Sequence, residues 1–67
     1  MAVVKVIEIL AESSDSWEAA TKAAVAEASK TVKNIQSVYI KEMQAIVEGN
    51  EIVKYRVNAK ISFIIQE

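Results

Sequence analysis

The chain has no cysteine and no histidine among its 67 residues. Without cysteine there is no disulfide to staple a small fold and no thiolate to hold a metal. Without histidine, a zinc ion would have to be held by carboxylates alone, which is uncommon. The same two absences remove the side chains that most often act as acid, base or nucleophile near neutral pH. No Gly-rich phosphate loop occurs, because the chain holds a single glycine, Gly49. No paired-carboxylate spacing stands out, so the expectation is a binding or structural protein and not an enzyme. Net charge is −1 with both signs interspersed, which argues against a nucleic-acid partner, since that requires a basic patch. No apolar run approaches the roughly 18 residues of a membrane helix. The N-terminal run Val3–Leu10 is broken by Lys5 and Glu8 and shows no signal cleavage pattern, which points to the cytoplasm.

What is abundant is apolar surface: 52% of the residues are hydrophobic. A chain of this size buries only about 60% of its unfolded surface, so one monomeric core cannot hide them all. Self-association is the expected remedy.

The clearest pattern lies at the end, in 51–67. Val53, Tyr55, Val57, Ala59, Ile61, Phe63 and Ile65 alternate with Lys54, Arg56, Asn58, Lys60, Ser62, Ile64 and Gln66. This period of two marks a long strand with one apolar face. Residues 2–10 are β-branched and read as a first strand with neither face cleanly polar. Residues 11–15 break the pattern. Ser13, Ser14 and Asp15 each offer an oxygen to cap a helix, and Asp15 with Glu18 fits a capping box. Residues 16–32 read as the one helix, free of Gly and Pro, with Trp17, Ala20, Ala24, Ala28 and Val32 along one stripe. Its alanines permit close approach to a sheet. Trp17 serves as a packing plug, an interface residue or a ligand-stacking surface. Lys30 and Lys33 suit the last turn, and Asn34 is a C-terminal stop. Residues 35–47 form a second strand, with Val38, Ile40, Glu42, Gln44 and Ile46 on one face and Ser37, Tyr39, Lys41 and Met43 on the other. Gly49-Asn50 signals a two-residue hairpin into the last strand.

The order is thus β-α-β-β, one α+β domain over 1–67. The crossover makes the first two strands parallel, and the hairpin makes the third antiparallel to the second. Placing the longest strand at the centre gives an all-antiparallel sheet of order 2-3-1, with the helix across its odd face. The order 3-2-1 would leave that strand at an edge.

This arrangement resembles the dodecins, small β-α-β-β proteins that assemble as hollow dodecamers. The matching strings are Val6-Ile7-Glu8-Ile9, Ser13-Ser14-Asp15-Ser16-Trp17-Glu18-Ala19-Ala20, Tyr55-Arg56-Val57 and Ile61-Ser62-Phe63. The spacing agrees along nearly the whole chain. The resemblance implies a homododecamer that binds or stores a small ligand. In flavin-binding dodecins a Trp in the second strand stacks on the isoalloxazine, and a Gln in the third bonds its edge. Those positions fall on Ser37 and Arg56. Ser cannot stack, and a charged guanidinium cannot replace the two-way pairing of an amide. Flavin in its usual mode is therefore not expected. The Arg and the Ser-Trp-Glu helix start are closer to the members described as calcium dodecins, which makes calcium a candidate ligand. Asp15, Glu18, Glu42, Glu48 and Glu51 are scattered candidates for its six to eight oxygens, without EF-hand spacing. The residues assigned to ligand binding are Ser37, Tyr39, Lys54 and Arg56: Arg56 as a charged clamp, Tyr39 as a substitute stacking surface. The competing role for Arg56 and Lys54 is an intersubunit ion-pair network with Glu42 or Glu48, or simple solvation. A structural shell without a working ligand site is the alternative function.

Overall fold

The long alternating strand lies at the centre of the sheet. A computed structural model describes residues 1–66 and shows β1 (Val3–Ser13), α1 (Trp17–Ala28), β2 (Ile35–Glu48) and β3 (Glu51–Gln66). The sheet order is β1-β3-β2, and both pairings are antiparallel. β3 pairs with β1 from Val3↔Gln66 to Ser13↔Tyr55, and with β2 from Ile35↔Phe63 to Glu48↔Glu51. Central placement lets β3 satisfy its backbone groups on both edges.

The core is one layer thick. Val57, Ala59, Ile61 and Phe63 on β3 are buried against Ala20, Ala24 and Ala28 of α1. Ile7, Ile9, Ile35, Val38 and Ile40 close its sides. Alanine at three positions four residues apart leaves room for the sheet's larger side chains. The twelve-residue helix is about 18 Å long. The sixteen residues of β3 extend about 53 Å, matching the 51 Å long axis of the chain. The helix therefore covers about a third of the sheet. Met43, Val47 and Ile52 on the hairpin arm beyond it remain exposed.

Local details correct the sequence reading. The helix cap is Ser16, whose Oγ accepts from the Ala19 N–H at 2.9 Å. Asp15 instead donates its backbone N–H to Ser13 Oγ. Glu18 stays in the first turn, where a negative charge suits the dipole. The helix closes at Ala28 and not at Val32, with Ser29 as its C-cap. One tighter turn follows, in which the Thr31 and Val32 N–H groups both reach the Ala28 carbonyl. Lys30 and Lys33 thus lie past the helix end. Asn34 stops the turn with φ +63°, as expected of a residue that tolerates the left-handed region. Gly49 and Asn50 have φ +58° and +67°, the two positive values of a type I′ hairpin turn.

Two differences matter for function. β1 runs three residues past Leu10, so Ala11, Glu12 and Ser13 pair with Val57, Arg56 and Tyr55. The polar residues that break the sequence pattern do so at an edge strand whose outer face tolerates them. Secondly, β2 slips register between Ile40 and Glu42. Ile40 pairs with Ala59 and Glu42 with Asn58, so Lys41 is an extra residue in a bulge. A one-residue slip inverts every later side chain. Met43 therefore turns to the helix side, opposite Val57. Glu42, Gln44 and Ile46 turn to the other face, opposite Asn58, Arg56 and Lys54. Strict alternation placed each of these on the wrong face.

Candidate ligand site on the open sheet face

The sheet face without a helix carries the candidate residues. Cross-strand rows define it, because residues directly opposite project to one side. From one end the rows are Val6–Ser62–Ser37, Glu8–Lys60–Tyr39, Leu10–Asn58–Glu42 and Glu12–Arg56–Gln44, with Lys54 opposite Ile46 beyond. All four residues assigned from the sequence, Ser37, Tyr39, Lys54 and Arg56, lie on this face.

One chain does not bring all four together. Ser37 Oγ lies 2.5 Å from Ser62 Oγ, and the neighbouring Tyr39 ring is 64% exposed. Arg56 is six residues along β3 from Ser62, about 20 Å away. Ser37 with Tyr39 and Arg56 with Lys54 therefore form two separate groups on one chain.

The group around Arg56 is an ion-pair cluster. Arg56 Nε donates to Glu12 Oε2 at 2.7 Å, and Nη2 lies 2.5 Å from the same oxygen. Lys54 Nζ lies 3.6 Å from the other oxygen, Oε1. The hydrogen bond from Arg56 holds the Glu12 carboxyl below its ordinary pKa; its partial desolvation opposes this, and the charges of Arg56 and Lys54 add to it. Among the described residues of one chain, Glu12 is the carboxylate paired with Arg56 and Lys54. The reason is the strand order, which sets β1 against β3. Glu12 was missed because the sequence pattern ended β1 at Leu10. Its even-numbered parity with Glu8 and Leu10 was the available signal. A shallow hollow of about 310 Å³, lined by Glu12, Ser13, Ser14 and Lys54, adjoins the cluster.

A second cluster surrounds Glu8. Its carboxyl is also held below the ordinary range, first by a hydrogen bond with the Asn58 side chain and then by the charge of Lys41. Lys41 Nζ lies 3.7 Å from Glu8 Oε2. Asn58 Oδ1 is buried without a hydrogen-bond partner among the described residues.

Trp17 does not project as a free stacking platform. Its ring meets Tyr55 edge-on with centroids 4.9 Å apart, and its Nε1–H donates to the Gln44 carbonyl at 2.9 Å. It fastens the start of the helix to the hairpin.

The dodecin family model matches residues 3–66. The chain belongs to the dodecin family. This dodecin is similar to the calcium dodecin of Mycobacterium tuberculosis H37Rv, 35% identical over 63 residues that cover 94% of this chain and 89% of the relative. A mutant T. thermophilus dodecin superposes with a TM-score of 0.92 at 28% identity, covering all of both chains. The crystal structure of the M. tuberculosis calcium dodecin, described as calcium-chelating with a novel calcium-binding site, superposes at 0.83 with 33% identity, covering 96% of this chain and 91% of that one.

Neither family ligand meets a ready-made site in a single chain. Ser37 has no ring to stack on a flavin, and its hydroxyl bonds to Ser62. For calcium, no three acidic residues cluster among the described residues. Glu18 pairs with Lys22, Asp15 lies in the loop between β1 and α1, and Glu42 sits in the middle of β2. One chain therefore does not assemble the oxygens calcium requires. No helix among the described residues is long and apolar enough to cross a membrane.

Proposed function

We propose that this dodecin works as a homododecamer that binds or stores a small ligand where the open sheet faces of neighbouring copies meet. The observation that carries this reading is the uncovered face itself. Val4, Val6, Leu10 and Tyr39 are all more than half exposed on it, beside a charged centre. A one-layer core leaves that apolar area to be covered by other copies. Association also supplies what one chain lacks, a route to bring the Ser37–Tyr39 and Arg56–Lys54 half-sites together. In this reading Arg56 clamps the ligand, Lys54 adds charge, and Tyr39 supplies the flat surface that Ser37 cannot. The role is binding and not catalysis. Stacked flavin is disfavoured by Ser37 and Arg56. Calcium is the second ligand reading, favoured by the similarity to the calcium dodecin, with its ligands drawn from more than one copy.

Native mass spectrometry of the purified protein tests the proposal. A species near 89 kDa, about twelve times the 7.4 kDa chain, is expected. Bound mass then names the ligand class: flavin mass would refute the role given to Ser37, whereas calcium would favour the second reading. A bare dodecamer would leave a structural shell, and a monomer would sink the assembly. Arg56→Ala is expected to abolish ligand mass and keep the assembly. Dissociation instead would make Arg56 an interface residue.

A further inference from the structure

We infer that Glu12 is the specificity-determining residue of the Arg56–Lys54 pair, because its carboxylate fills the seat that an external oxyanion would take. The inference rests on the proposed reading of Arg56 as a ligand contact. A guanidinium presents a planar fork of donors that suits carboxylate, phosphate or sulfate oxygens. Here that fork is already occupied. Arg56 Nε and Nη2 both meet Glu12 Oε2, while Lys54 approaches Oε1. Glu12 thus behaves as a tethered oxyanion between two cations.

The backbone keeps it within reach. Glu12 and Arg56 are direct cross-strand partners, so their Cβ atoms stay about 5 Å apart and the carboxylate remains close to the guanidinium. The cations are not sealed off: the Arg56 and Lys54 side chains are 37% and 56% exposed. The adjoining hollow, with the Ser13 and Ser14 hydroxyl groups on its wall, has room for an ion the size of sulfate. What excludes an anion is therefore charge and occupancy, not access. An arriving oxyanion must displace Glu12 and then sit beside its unpaired charge. With Glu12 in place the pair accordingly favours ligands that are neutral where they touch it over phosphate, sulfate and carboxylate groups.

The test uses sulfate alone as the probe, titrated calorimetrically at low ionic strength into the assembled wild-type protein, Glu12→Gln, Glu12→Ala, Glu12→Gln with Arg56→Ala, and Glu18→Gln. Glu18→Gln removes an equal charge from the exposed helix surface and controls for net charge. The expectation is sulfate binding at least about tenfold tighter in both Glu12 variants, in keeping with removal of one close like charge. The gain disappears when Arg56 is also replaced, and Glu18→Gln matches wild type. Equal binding in wild type and the Glu12 variants overturns the inference. So does a gain that survives loss of Arg56, or one that Glu18→Gln reproduces. Loss of folding or assembly in both Glu12 variants also overturns it, because the pair would then be a structural clamp. Failure of the ligand reading is distinguishable: Arg56→Ala would leave the native bound mass unchanged, whatever sulfate does.

Discussion

Truncation of Ile61 tests the one-layer core directly. Ile61 is fully buried at the middle of β3, packed against Ala24, Ala28 and Ala59. Ile61→Ala removes three buried carbons, about 2.4 kcal/mol of transfer free energy at about 0.8 kcal/mol each. A cavity term adds to this when the surroundings cannot collapse. Here collapse is limited: the facing helix residues Ala24 and Ala28 are too short to move into the space, and the central strand is held on both edges. The expected loss is about 3–4 kcal/mol, against about 1 kcal/mol for Ile61→Val. A chain of 67 residues has in total about 3–10 kcal/mol to lose. Urea unfolding followed by circular dichroism, at several fixed protein concentrations, separates this loss from any change in association. A loss for Ile61→Ala no larger than that for Ile61→Val would refute the rigid alanine contact and mean that helix and sheet close over the gap.

Other outcomes follow from single contacts. Trp17→Phe keeps the edge contact with Tyr55 but frees the Gln44 carbonyl, so denaturant unfolding should show a loss of about 1 kcal/mol; an unchanged midpoint would mean the indole N–H bond contributes nothing. Gly49→Ala meets no atom within 4 Å of its new Cβ, so its cost is that of the positive φ alone, about 1 kcal/mol, and a thermal melt showing no shift would contradict the type I′ turn. Glu8 and Glu12 have lowered folded pKa values. Their contribution is therefore complete above the ordinary carboxylate pKa of about 4.3 and is lost as pH falls through the lower folded values. Thermal melts from pH 7 to pH 3 should decline in that acid window, with a shallower decline in a Glu8→Gln, Glu12→Gln double variant; parallel declines would show that the two clusters do not set acid stability.

Much of this was legible in the chain. The alternation through Val57, Ala59, Ile61 and Phe63 fixed a strand and its buried face, since a period of two has one geometric meaning. Alanines at 20, 24 and 28 marked the helix face that meets it, and Gly49-Asn50 marked the turn. The site was half legible. Parity put Lys54, Arg56, Ser37 and Tyr39 on the helix-free face, but it could not show that about 13 Å of strand lies between Arg56 and the Tyr39 row and about 20 Å between Arg56 and the Ser37 row, because those distances depend on register.

Sequence by itself determined the elements, the central place of the last strand and the excess of apolar surface that calls for other copies, because each depends on local periodicity, turn chemistry or composition. Tertiary structure alone decided which carboxylate meets Arg56 and which face Met43 and Gln44 take. Those outcomes depend on how far β1 pairs and where β2 bulges. Both are settled by hydrogen bonds between strands distant in sequence, and a single added residue in such a ladder reverses every side chain after it.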